Sequence, residues 1–140
     1  MNSRLLVPTN MMRIAIGLMA TLAGADKFFN VLADWGSYVS PVAVQLLPFS
    51  VDVLMWIVGA VEIAVGASIL TAVPVLGAYV ASAWLLLVAG NLVLGGYLDI
   101  AVRDVVLSIS AFTLARLIQV RNDVEIRDTR PERVGHRLIA

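Results

Sequence analysis

An all-α integral membrane protein with four spans is the fold class this sequence predicts, and three observations predict it. Four apolar runs of spanning length, about residues 11–29, 52–70, 75–94 and 100–120, fill more than half of the 140-residue chain. Charged residues make up 14% of it, against about 25% in ordinary soluble domains, and mean hydropathy is +0.91. The runs are apolar on every face, and so short a chain cannot hide such helices in a soluble core. The expected architecture is a four-helix bundle over residues 1–120, with a short interfacial helix between spans one and two. Residues 121–140 are expected to form a polar cytoplasmic tail, loosely ordered at the membrane surface.

The first span is expected from about Met11 to Phe29. Pro8 discourages helix before it, and Thr9 or Asn10 can cap it. The basic start, short apolar run and Ala23-Gly24-Ala25 also resemble a signal peptide with a small-residue cleavage site. The late Arg13 and the apolar character continuing through Phe28 and Phe29 favour a retained span. In the long connection that follows, Trp35 and Tyr38 suit the headgroup level. Ser40-Pro41 reads as a cap and first helical position, Pro48 as a stop, so the interfacial helix should occupy about Pro41–Leu47.

The second span, DVLMWIVGAVEIAVGASIL (52–70), carries one acid near its middle, Glu62. A tight uncharged turn, Thr71–Pro74, leads to the third span, which Gly95-Gly96 ends. In the tail, Pro131 and Gly135 argue against a long helix. Six of the ten basic residues (Arg116, Arg121, Arg127, Arg130, Arg133, Arg137) lie in the last 25 positions. With Arg4 and Arg13 they place both termini in the cytoplasm by the positive-inside rule. Four interleaved acids, Asp123, Glu125, Asp128 and Glu132, leave no field for nucleic acid.

Helical spacing also predicts which residues meet. Arg13, Gly17, Ala20, Gly24 and Lys27 share a stripe on the first span; Met55, Gly59, Glu62, Gly66 and Ile69 share one on the second. Small residues at these spacings let helix backbones approach, so the face bearing Glu62 should meet protein. Gly77, Trp84, Asn91 and Gly95 align on the third span, and Asp104, Ser108, Ala111 and Ala115 on the fourth. An ionised Glu62 at mid-membrane would cost at least ~2.5 kcal/mol, so it must be neutral, paired or reached by water. It serves either as a helix-to-helix hydrogen bond or as a proton-handling or ligand-binding group. Asp26, Lys27, Asn91, Arg103 and Asp104 should gather at the non-cytoplasmic ends of the spans, Asp26/Lys27 and Arg103/Asp104 as end-of-helix ion pairs beneath Trp35 and Tyr38. With Arg13, these are the candidate buried polar or ligand-binding residues.

Several chemistries are excluded. The chain has no cysteine, which removes thiol exchange and thiolate metal sites. Its single histidine, His136, lies in the tail, which removes bis-histidine haem between the helices. No phosphate loop, metal constellation or localised nucleophile–base pair is present. No metal and no covalent cofactor is therefore expected, and the residues point away from an enzyme acting on its own.

Three stretches, RIAIGLMATLAGADKFFNVLADWGSYVSP (13–41), GAVEIAVGASIL (59–70) and YLDIAVRDVVLSISAFTLARL (97–117), resemble the DoxX-like family of small four-helix membrane proteins. The resemblance covers about residues 11–120 and includes a Gly-x-x-Glu-x-x-x-Gly pattern around Glu62. It implies a multi-pass protein of the bacterial inner membrane, associated with quinone-linked redox systems, and it highlights Arg13, Gly24, Lys27, Glu62, Gly66, Arg103 and Asp104. On this reading the chain is a non-catalytic subunit or ligand-binding component that takes a quinone or lipid and works beside a redox partner protein. The alternatives are a small transporter, or a quinone oxidoreductase membrane subunit in which Glu62 handles protons.

Overall fold

The computed structural model describes residues 3–128, and among these it contains helix and no strand. Five α-helices follow in order: α1 Ser3–Asp26, α2 Pro41–Leu46, α3 Val51–Leu70, α4 Pro74–Leu94 and α5 Leu98–Asp128. A 3₁₀ turn, Trp35–Tyr38, precedes α2. Three helices are long and apolar enough to cross a membrane: Leu5–Asp26 of α1, α3 and α4. The chain is thus a membrane protein. The fourth long helix, α5, carries Asp99, Arg103, Asp104, Arg116 and Arg121 and is less apolar than the other three.

Local chemistry accounts for most boundaries. Ser40 and Ser50 are N-caps, each with an extended backbone, and their hydroxyls accept from Ala43 N and Val53 N. Pro41 and Pro74 occupy first-turn positions, where a missing N–H costs nothing. At the end of α4 the Gly95 N–H bonds to Asn91 O, and Gly96 then takes φ +84, a left-handed conformation that glycine adopts without strain.

Three boundaries differ from the sequence expectation. First, α1 starts at Ser3 and contains Pro8. A proline this close to a helix start forfeits one bond, to a carbonyl of the opening turn, and the helix runs through it. Thr9 does not cap: it is buried within α1, and its hydroxyl donates to Leu5 O (2.8 Å). Second, α1 stops at Asp26 and not at Phe29. The Asp26 carboxylate accepts from Val31 N (3.0 Å), Leu32 N (2.9 Å) and Trp35 Nε1 (2.7 Å), and Asn30 takes φ 51 to make the turn. Third, residues 121–128 are helical as the end of α5, not a loose tail. Polarity does not break a helix, and α5 contains no Gly or Pro, so propagation from the buried part is cheap. The expectations for Arg130, Pro131, Glu132, Arg133, Gly135, His136 and Arg137 fall outside the described residues.

α1 packs antiparallel on α3, α4 packs on α5, and α3 on α4 and α1 on α5 close the arrangement. The α1–α3 seam is made by glycine. A Cβ on Gly24 would lie 2.7 Å from Gly59 O, and one on Gly66 would lie 2.7 Å from Gly17 O and closer still to Thr21 Oγ1. The α4–α5 seam is made by alanine and serine: Ala78, Ala81, Ala111 and Ala115 are buried, and Ser82 and Ser108 share a hydroxyl contact of 3.0 Å. The apolar core joins Ile16, Val65, Ile69, Leu114 and Ile118 to these alanines. It fills the end of the assembly where α1 passes the C-terminus of α3.

The opposite end is built differently. Because α1 stops opposite Gly59, the first two turns of α3 extend past it. The segment between α1 and α3 turns back over that gap. Its 3₁₀ turn packs on α3 and α2 packs on α4.

This seam is testable. Gly66→Ala should destabilise the protein by about 1–3 kcal/mol, the usual cost of overpacking. Gly90 has nothing near its missing Cβ, so Gly90→Ala should be neutral or stabilising by up to about 1 kcal/mol. Thermal unfolding in detergent, followed by circular dichroism, distinguishes them. Equal melting temperatures for the two variants would disprove the close α1–α3 approach.

Candidate functional site: a buried charged centre

Lys27 follows the last residue of α1, so its level is the level at which α1 stops. Glu62 lies near the middle of α3. The short α1 brings them together: Lys27 Nζ donates to Glu62 Oε2 at 2.6 Å, with side chains 6% and 14% exposed. Glycines 24 and 59 set the separation, since both helices must touch before these side chains can meet below the roof. Lys27 also approaches Ala23 O at 3.4 Å, a weak contact, and lies 3.8 Å from the centre of the Trp35 ring. From α4, Trp84 Nε1 points at Glu62 Oε1 at 3.5 Å, the long limit of a hydrogen bond. On α5, Asp104 is half-buried, and the charge of neighbouring Arg103 acts on it more than those of Glu62 and Lys27.

The roof is the segment after α1. Asp26 grips it at one end through Trp35 and two backbone amides. Asn91 grips it at the other: its Nδ2 donates to Tyr38 O (2.8 Å) and its Oδ1 accepts from Ser40 N (3.0 Å). Tyr97 adds a hydroxyl bond to Ser37 O (2.9 Å) and an edge contact to Tyr38, with ring centres 5.0 Å apart. Trp35 and Tyr38 also meet edge to face.

The candidate residues therefore separate into distinct roles. Glu62 and Lys27 share one centre, with the Trp84 indole at its edge; Asp104 stands on α5 beside Arg103. Asp26 and Asn91 hold the roof. Lys27 pairs with Glu62 and not with its neighbour Asp26, because Asp26 is filled by backbone and indole donors. Arg103 is exposed and stands outside the centre. Arg13 is at the far end of the molecule, where its Nε donates to Ile69 O (2.7 Å) and its Nη2 to Leu70 O (2.8 Å) and Thr71 O (3.2 Å). A guanidinium there satisfies the orphan carbonyls at the C-terminus of α3 and opposes the negative end of its dipole. Trp84, which the sequence places only on a stripe of the third span, and Tyr97, which it does not single out, both reach polar partners. Trp84 shared a helical stripe with Asn91, and that was the available signal.

No family model, curated protein or solved structure matches the chain.

What the centre can do follows from its charge. One ammonium faces one carboxylate at contact distance. Removing one partner of a buried pair strands the other, at a cost of about 3–5 kcal/mol, whereas replacing both by apolar groups is often neutral. Lys27→Met alone should therefore destabilise by that amount, and Lys27→Met with Glu62→Leu should recover most of it. Unfolding of the two single variants and the double variant in detergent measures the coupling. Additive effects would mean the two side chains do not depend on each other.

Proposed function

We propose that this chain is a non-catalytic integral membrane protein that lodges the polar head of a quinone-like or lipidic ligand at the Lys27–Glu62 centre, as a subunit working beside a redox partner. The observation that carries the reading is a charged pair buried between helices under a roof fastened by a handful of polar bonds. Such a centre is costly in lipid, and intramembrane ionisable groups are functional suspects for that reason. Its donors suit an acceptor oxygen of the carbonyl kind: an ammonium with capacity beyond one strong bond and an indole N–H held only weakly. The redox association comes from the resemblance to DoxX-like proteins around Gly59, Glu62 and Gly66.

In this proposal α5 is the fourth span, since it packs along α4 through buried Ala111, Leu114 and Ala115. The helix α2 lies at the interface, with Val42, Val44 and Leu46 exposed. The protein sits in a bacterial inner membrane with both termini in the cytoplasm. A second reading, proton handling by Glu62 within a quinone oxidoreductase, has behind it the position of that acid near the middle of an apolar helix.

The test is solvent extraction of the detergent-purified protein and mass spectrometry of what is released. Wild type should carry a stoichiometric quinone or lipid. Glu62→Gln should carry roughly tenfold less while keeping its helical spectrum. Wild type that carries nothing beyond bulk detergent-extracted lipid, or a folded Glu62→Gln that carries as much as wild type, would overturn the reading.

A further inference from the structure

The roof over the Lys27–Glu62 centre is fastened by two sets of bonds that differ in reach. Those of Asp26 are local: its carboxylate accepts from Val31 N, Leu32 N and Trp35 Nε1, only 5, 6 and 9 residues along the chain. They give the roof its own shape and root it on the end of α1. Those of Asn91 and Tyr97 are not local. Asn91 reaches Tyr38 O and Ser40 N across 53 and 51 residues, and the Tyr97 hydroxyl reaches Ser37 O across 60. These three bonds join the roof to α4 and to the turn after it. Each is between neutral groups, and so weaker than a bond to a carboxylate. Apolar burial adds little: neither the 3₁₀ turn nor α2 buries a residue. A pocket of about 220 Å³ already parts the segment from the first two turns of α3.

We propose that the roof is a lid on the centre, rooted at Asp26 and latched by Asn91 and Tyr97, and that release of this latch governs access to Lys27 and Glu62. The proposal rests on the reading that the centre lodges a ligand, and it names the regulation of that site. The roof is what covers the ammonium: its Trp35 ring lies 3.8 Å from Lys27 Nζ. The latch stands on the helix that also reaches the centre, since Trp84 approaches Glu62 from the same face of α4, about 10 Å deeper. Asn30, at φ 51, makes the bend between root and lid. Asn91 suits the part because an amide donates and accepts at once. One side chain thus closes on two backbone groups, and both bonds are lost together when it turns away. The Lys27–Glu62 bond is not among those that break, so α1 stays on α3 while the lid lifts.

The chain makes the test direct, because Lys27 is its only lysine and it has no cysteine. Acetylation by an N-hydroxysuccinimide ester, with the full chain in detergent and the Lys27 peptide read by mass spectrometry, reports how often the ammonium is uncovered. Asn91→Leu nearly keeps the side-chain volume and removes both bonds. It should raise the acetylation rate roughly tenfold with the unfolding midpoint unchanged, since lifting of the lid is a local opening. Acetylation at the wild-type rate, or a rise that only follows a fall in the midpoint, would overturn the latch. Ser40→Cys with Asn91→Cys exchanges the latch for a disulfide at a place where Ser40 N lies 3.0 Å from the Asn91 side chain. The oxidised protein should be acetylated roughly tenfold more slowly than the same protein reduced. Equal rates would mean that Lys27 is reached by another path, and would overturn the lid. Either failure leaves the ligand-binding reading standing, because extraction of Glu62→Gln tests that separately.

Discussion

Everything at one end of this molecule depends on a 2.6 Å contact between Lys27 and Glu62. Removing either charge would strand the other in a largely buried site, and the pair forms where α1 stops short of the full length of α3. The contact is the joint product of a helix that stops early and a seam that glycine lets close. Asp26 enforces the stop: a carboxylate filled by two amides and an indole N–H leaves the chain no way to continue as helix. One residue thus ends α1, seats Trp35 over the neighbouring ammonium, and leaves that ammonium free to seek Glu62.

The two ends of the assembly solve the same problem with different means. At the α3 C-terminus the polar groups are backbone carbonyls, and Arg13 satisfies three of them with one guanidinium. Next to it lies the dry core of alanine, isoleucine and leucine. At the other end the polar groups are side chains, and their partners come from several elements. The first arrangement fixes the α1–α3 register and has little else to offer. The second has bonds to spare and a pocket at its side. The proposed binding site is placed there for that reason, and not because the residues are charged.

Much of this was legible in the residues. The stripes Gly17–Gly24 and Gly59–Gly66 do face each other, the cap at Ser40 and the helix from Pro41 follow local rules, and Ser108, Ala111 and Ala115 form the α5 seam. Helical periodicity reports faces well because it is a local property. Depth is not local. Lys27 reads from sequence as a buried polar candidate at a helix end, paired with Asp26; with every span assumed to cross at full length, its level beside Glu62 is not legible. Arg13 shares a stripe with Lys27 and was grouped with it, yet a stripe says nothing of position along the axis. The continuation of α5 through Arg121 was missed because polarity was read as disorder, although nothing in that stretch breaks a helix.

The roof explains how a centre so protected could still be reached. It is fastened by Asp26 at one side and by Asn91 and Tyr97 at the other, all neutral or singly charged hydrogen bonds worth about 1–3 kcal/mol each. The helix within it, α2, buries none of its residues. With the strap in lipid, as the proposal has it, weak tethering would cost little, because its exposed Phe29, Val31 and Leu32 would meet apolar solvent. Under the proposed function, a ligand arriving from the bilayer would part the strap from α3 at the pocket between them. The ion pair, which no apolar molecule can replace, stays in place while it does so. Under that proposal access and integrity would be carried by different bonds, so the charged pair would hold the helices together while a ligand exchanges beside it.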